Sequence, residues 1–331
     1  MAADVTKDTI HDTIAKKLDV TGHLSATSAT ANVIKLADLG CSVGPNTLAS
    51  IHDLIHVIKQ KHPSTSQLEF QVFFNDLPSN DFNALFRSLP LPADGGRGYF
   101  AAGVPGSFHG RLFPASSLHV VQLYYSIHWL SAAPKGPPAN RGRIHYAGAS
   151  GAVLEAYKAQ WGEDMGRFLA ARAAEVVAGG MVLVVGPSIP DGMPYSRLAN
   201  GIMFDCMASI LLDLARQGMI KEEEVDAFNL PIYAPPPGDI EAAVTKNGQF
   251  TIEAMGLNNP APWLTEGVHV DMVEFTGHIR AAMEGMFLSH FPSHVVGILF
   301  DRLAVMMSEL SEEMESAYKD KIQVYFVLCR K

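Results

Sequence analysis

Residues 33–47 place the tightest constraint on how this chain folds: Val33-Ile34-Lys35-Leu36-Ala37-Asp38-Leu39-Gly40-Cys41-Ser42-Val43-Gly44-Pro45-Asn46-Thr47. A short apolar run ends in an acid, enters a loop with two glycines and a proline, and reaches Thr47, a residue type that starts helices. Ile51, Leu54, Ile55 and Ile58 then recur at i, i+3, i+4 and i+7, so the segment to Lys61 has one apolar face to lay on a sheet. The expected unit is strand, loop, helix. Glycine between a buried strand and a helix N-terminus lets backbone N–H groups approach a ligand above the sheet edge.

Which ligand depends on the loop's details. Gly40 and Gly44 enclose Cys-Ser-Val, which does not match G-x-G-x-x-G, and no G-K-[ST] follows to cradle a phosphate. Asp38 puts a negative charge at the strand end, where a cationic ligand such as S-adenosylmethionine is better served than a dinucleotide. Taken alone, the loop is equally an ordinary α/β turn.

Further strands follow in an alternating β/α pattern. Leu68–Phe74 is rich in strand formers and stops at Asn75-Asp76-Leu77-Pro78, with Asp76 just past its end, placed to accept hydrogen bonds from ribose hydroxyls or to act as a loop cap. Residues 99–102 form a short strand before a Gly/Pro-rich loop in which Ser107 and Phe108 either meet an adenine or simply connect elements. The strand His119–Tyr125 ends in Ser126-Ile127-His128-Trp129-Leu130, leaving Tyr125, His128 and Trp129 at its carboxyl end. Such ends carry sites in open sheets, although aromatic clusters are also common in cores. Helix is expected over 168–177, 202–216, 270–288 and 293–316, and strand over 181–186 and 322–328. The expected division is a core of residues 1–190 with 319–331 and a helical cap of 191–318. Residues 1–32 read as a polar, partly helical lead-in with an Ile10, Ile14, Leu18 stripe.

Composition excludes several classes. At 331 residues, 48% hydrophobic and 18% charged, the chain can bury a large core. A net charge of -9, with 25 dispersed Lys and Arg, argues against a nucleic-acid partner. No apolar run reaches the roughly 18 residues of a membrane span, and no secretory order marks residues 1–30. Cys41, Cys206 and Cys329 are widely spaced and odd in number, which fits a reducing, cytoplasmic setting and no disulfide framework.

Four segments in order resemble the plant SABATH methyltransferases: 38–47, 75–83 (Asn-Asp-Leu-Pro-Ser-Asn-Asp-Phe-Asn), 104–108 (Val-Pro-Gly-Ser-Phe) and 125–131 (Tyr-Ser-Ile-His-Trp-Leu-Ser). The resemblance implies an α/β fold: a Rossmann-like class I methyltransferase sheet with a mostly helical cap. It also implies methyl transfer from S-adenosylmethionine to the carboxylate of salicylate, benzoate, jasmonate, indole-3-acetate or a similar acid, or to a xanthine nitrogen, with S-adenosylhomocysteine as product. By the same resemblance, Gly40, Cys41, Asn46, Asp76, Leu77, Ser107 and Phe108 contact the donor, with Asp38 under its methionine end. Tyr125, His128 and Trp129 hold the acceptor, the indole N–H donating to its carboxylate. Met203, Phe204, Ile279 and Ala282 align with pocket positions, and are equally readable as ordinary helix core. Asn140, Asp226, Phe228 and Asn229 match positions that bind magnesium in some members, which sequence chemistry alone does not suggest, because hard-cation cages usually show more acids. Many relatives are homodimers.

Two departures stand out. The family's N-terminal glycine-rich stretch and Ser-Tyr-Ala-x-Asn-Ser segment have no match in residues 1–32: either the arm is missing from the protein or it is only absent from this sequence, and if it is truly gone a lid and one carboxylate partner go with it; Val43 also replaces a serine of the glycine loop. A carboxylate acceptor is already ionised at neutral pH, so transfer needs alignment and no general base. The rival readings are a nucleotide-dependent oxidoreductase and a non-catalytic binder of a small acid.

Overall fold

Sheet order decides where a site can lie in this molecule, a computed structural model that describes residues 5–19, 32–61, 68–89, 98–134, 140–195, 199–264, 268–320 and 322–331. In chain order the elements are α1 (Lys7–Lys17), β1 (Asn32–Leu39), α2 (Pro45–Lys61), β2 (Leu68–Asp76), α3 (Phe82–Ser88), β3 (Phe100–Pro105), β4 (Leu118–Tyr124), α4 (Gly151–Glu175), β5 (Val176–Pro187), α5 (Ala199–Arg216), α6 (Glu222–Ala227), α7 (Pro237–Asn247), β6 (Phe250–Asn258), α8 (Met272–Leu288), α9 (Ser293–Glu309), α10 (Ser311–Tyr318) and β7 (Gln323–Arg330). The strands form one sheet in the order β3-β2-β1-β4-β5-β7-β6. β1 to β5 run parallel, and β7 enters antiparallel to both of its neighbours. This is the mixed seven-stranded sheet of the class I methyltransferase fold. The order reverses direction between β1 and β4, and the crevice beyond their carboxyl ends is where ligands bind in such sheets.

Strand periodicity sorts side chains onto the two faces. Ile34, Leu36, Val120, Leu183 and Val185 pack with Ile51, Leu54, Ile55 and Ile58 of α2. Ala37, Leu39, Val121, Leu123, Val182 and Val184 pack with Trp161, Met165, Phe168 and Leu169 of α4. Burial on both faces explains the unbroken apolar run in β5. A third core joins α5, α8 and α9 through Met207, Leu211, Phe287, Leu299 and Leu303, and forms the cap.

The structure corrects several expectations. β6 and α7 fall within residues 191–318 yet belong to the sheet side, since β6 pairs with β7 and Ile240 and Val244 of α7 join the core under α4. β6 is hard to read because it is a half-exposed edge strand whose register shifts between Ile252 and Ala254, which breaks the period of two. α4 begins at Gly151, far before the expected 168, and the expected helix over 293–316 breaks at Leu310 into α9 and α10. β2 runs through Asp76, and β4 stops at Tyr124. In the lead-in, Ile10, Ile14 and Leu18 are buried beneath the sheet with α2; residues 1–4 and 20–31 lie outside the described residues.

Candidate active site

At the end of β1 the chain turns through Gly40 (φ +78) and Ser42 (φ +52). Asn75 at the end of β2 holds this turn: its carbonyl accepts N–H from Gly40 (2.8 Å) and Cys41 (3.0 Å). Its amide donates to the carbonyls of Val104 (2.7 Å) and Gly106 (2.8 Å) at the end of β3. One fully buried asparagine therefore fixes the three loops that frame one half of the crevice. Sequence reasoning passed over it in favour of Asp76. The Asp76 carboxylate accepts N–H from Ser42 through one oxygen and from Leu77 through the other, both at 2.7 Å. Beside it Leu77 is 53% exposed, Ser107 is exposed and Phe108 half-buried. An acid between an exposed leucine and a phenylalanine can hold a ribose while apolar surface covers a base. Asn46 is exposed in the first turn of α2, whereas Cys41 is buried.

Asp38 lies beneath this loop rather than in it. It is 3% exposed, accepts a hydrogen bond from the Thr47 hydroxyl, and faces α2. Burial pushes its carboxyl up to about 7, the Gln122 amide offsets this in part, and the Asp76 charge adds to it. A cation arriving nearby would favour the charged form.

The other half of the crevice follows β4. Tyr125 adopts a left-handed backbone (φ +56) and its N–H donates to the Val185 carbonyl at 2.7 Å. Its hydroxyl donates to Gln323, whose amide donates to Asn258 at 3.0 Å. Tyr125 is thus held to β7 and β6. His128 and Trp129 lie ring against ring in a tilted arrangement, centroids 4.8 Å apart and 35° between planes. His128 Nδ1 is buried without a hydrogen-bond partner, and burial lowers the imidazole to about 4, so it is neutral at pH 7. Trp129 packs against the cap core, in which Met203 and Phe204 are buried and Ile279 is partly buried. Met203 and Phe204 are each 2% exposed, as core residues would be. Ala282 is not drawn in, because the inward face of α8 is set by Thr276, Met283 and Phe287 and leaves it exposed.

The magnesium candidates also converge, but on one another. Asn140 Nδ2 donates to the His145 carbonyl (2.8 Å) and Asn229 Oδ1 (3.1 Å), and Asp226 accepts the Gly142 N–H (2.8 Å). Phe228 packs in the cap core between Phe287 and Phe291. With Asn140 Nδ2 on Asn229 Oδ1 and Asp226 Oδ1 on the Gly142 N–H, this set ties the 140–145 loop to the 226–230 strap, and its single carboxylate is fewer acids than a hard-cation cage usually shows. Among the described residues, no cluster of three or more His, Cys, Asp or Glu could hold a metal. The strap then braces the acceptor loop: Leu130 N–H donates to the Pro231 carbonyl, Tyr233 N–H to the His128 carbonyl, and Trp129 bridges Ile232.

Comparison with known proteins agrees with this fold. The family model described as SAM dependent carboxyl methyltransferase matches residues 2–331. Loganic acid O-methyltransferase of Catharanthus roseus is 36% identical over 336 residues, covering 99% of this chain and 88% of that protein. Salicylate carboxymethyltransferase of Clarkia breweri is 36% identical over 311 residues, covering 90% and 85%. A solved structure of loganic acid methyltransferase with SAH superposes with a TM-score of 0.87 at 35% identity, covering 99% of this chain and 92% of that one.

Proposed function

The chain belongs to the SAM-dependent carboxyl methyltransferase family, and from that premise we propose that it esterifies the carboxylate of a planar ring acid of the salicylate, benzoate or indole-3-acetate kind. S-adenosylmethionine is the donor and S-adenosylhomocysteine the product. The observation that carries the proposal is that the Gly40 turn and the loop bearing His128 and Trp129 touch at Ser126, whose Oγ is 3.3 Å from the Gly40 carbonyl. On this reading donor and acceptor are bound by two loops in direct contact. The aromatic pair of His128 and Trp129 offers a planar ring acid rings to lie against.

On this reading Asp76, Leu77, Ser107 and Phe108 hold the nucleoside, and Asp38, Gly40, Cys41 and Asn46 surround the methionine end. Tyr125, His128 and Trp129 orient the acid, with Met203, Phe204 and Ile279 contributed to the pocket by the cap core against which Trp129 packs. The carboxylate oxygen attacks the methyl carbon, the C–S bond breaks with its electron pair left on sulfur, and no proton moves. A neutral His128 and an indole N–H align the carboxylate without an ion pair that would blunt it, and alignment of this kind can contribute about 7 to 11 kcal/mol. No step depends on magnesium. A cytoplasmic setting is supported by three free thiols, and a homodimer by Val273 and Val305, exposed on neighbouring helices of the cap.

The test is a single-turnover assay with methyl-labelled S-adenosylmethionine and a panel containing salicylate, benzoate, indole-3-acetate, jasmonate and loganic acid. Label should appear in the ester of a planar acid. A protein that binds S-adenosylhomocysteine yet esterifies none of the panel would refute the reading.

A further inference from the structure

Helix α4 carries a buried ion pair that the reaction above does not use. Arg172 and Glu175 are both 0% exposed, with Arg172 Nη2 2.7 Å and Nε 2.8 Å from Glu175 Oε2. Both residues also reach across to the loop after β3. Arg172 Nη1 donates to the Phe108 carbonyl at 2.9 Å and Nη2 to the Gly110 carbonyl at 3.0 Å. The second carboxylate oxygen of Glu175 accepts the N–H groups of Leu112 and Phe113. The cation thus takes two carbonyls of the loop and the anion takes two amides. The guanidinium also lies 5.2 Å over the Phe168 ring, which meets Phe108 edge-on at 6.3 Å.

Packing alone does not call for this arrangement. Removing each charge from water costs several kcal/mol, and a buried pair can often be replaced by apolar residues of similar volume without loss of stability. Apolar residues could not fix the direction of four main-chain groups. We propose that Arg172 and Glu175 are positioning residues for the methyl donor, holding the 107–113 loop so that Ser107 and Phe108 meet its adenine end. This rests on the reading that those two residues bind the donor.

The test is calorimetric titration with S-adenosylhomocysteine and, separately, with adenosine. Arg172→Lys keeps the charge but loses the fork, and should raise the Kd for both ligands by the same factor, about tenfold, as expected for one lost charged hydrogen bond. Asp164→Asn supplies the control. Asp164 is also buried on α4 and its charge is felt by the His109 ring of the loop, but it makes no hydrogen bond to the loop's main chain and holds Ser131 through its N–H (2.8 Å) and hydroxyl (2.7 Å), so this variant should lose stability and keep donor affinity. A folded Arg172→Lys protein with wild-type Kd, or an Asp164→Asn protein weakened equally, overturns the proposal. Should Arg172→Lys not fold, the apolar pair Arg172→Met with Glu175→Leu decides: a folded protein with weakened donor binding supports the proposal, and wild-type binding or failure to fold overturns it. Failure of the wild type to bind S-adenosylhomocysteine would instead remove the reading of the site.

Discussion

A β-carbon on Gly40 would lie 2.1 Å from Ser126 Oγ and 2.6 Å from Ser126 Cβ. The turn after β1 and the loop after β4 are thereby interlocked, and Gly40 is excluded from substitution twice, by this contact and by its φ of +78. Alanine at Gly40 costs about 1–2 kcal/mol in backbone strain alone, and it displaces Ser126, which leads directly into His128 and Trp129. Gly40→Ala is expected to lower kcat/KM by more than about tenfold. Adding Ser126→Gly removes the clash but leaves the strain, so recovery should be partial, with a coupling energy of about 0.5–3 kcal/mol in the double-mutant cycle. Wild-type kinetics in Gly40→Ala alone would show that the two loops do not depend on each other.

Asp38 sets a pH dependence whose sign differs between folding and binding. Its folded pKa of about 7 is raised above the ordinary 3.8, so the folded protein keeps a proton that the unfolded chain releases. This group's contribution to stability is therefore highest below pH 4 and declines as pH rises to about 7, by roughly 1.4 kcal/mol per unit. Donor binding runs the other way, because the cationic methionine end prefers the ionised form. Affinity for S-adenosylhomocysteine is expected to climb up to about tenfold per pH unit between 5 and 7 and then level off. Asp38→Asn should flatten that profile, weaken binding, and raise the melting temperature at pH 8. Calorimetry and thermal unfolding across pH check both signs, and an unchanged profile in Asp38→Asn would remove the carboxylate from the donor site.

What was legible in the sequence was set by local periodicity. The acid-tipped strand, the glycine turn and the apolar face of α2 are all encoded within one stretch, and Asp76, Ser107, Phe108, His128 and Trp129 stand where loops leave parallel strands. Asn75, Ser126, Asp164, Arg172 and Glu175 were not singled out, because what each does is defined by a partner far away in the chain. Asn75 looks like a strand stop until its amide is seen to reach Val104 and Gly106. Three charged residues on the buried side of α4 carried a signal, since a helix pressed on a sheet has no use for unpaired charge. β6 escapes a reading by period because of its bulge and half-exposed edge position, and the Asn140 with Asp226 set, matched to a cation site only through family likeness, ties two loops together.

His128 is neutral because its Nδ1 is buried without a partner, which lowers the imidazole to about 4. The sign for folding follows: this histidine's contribution to stability is full above its ordinary 6.5 and is lost as pH falls toward 4. Across pH 5.5 to 8 the acceptor carboxylate is ionised and His128 is not, so kcat measured at saturating donor and acid should show no titration from this pair. Trp129→Phe keeps a smaller aromatic ring against the cap core and deletes the N–H. A hydrogen bond to a charged acceptor is worth about 1.5–3 kcal/mol, so kcat/KM for a carboxylic acid should fall by about 10- to 150-fold while the Kd of S-adenosylhomocysteine stays at its wild-type value. Retention of wild-type kcat/KM would mean that the indole does not hold the carboxylate, and a bell-shaped kcat profile with a limb near 6 would mean that His128 carries a proton in the working complex.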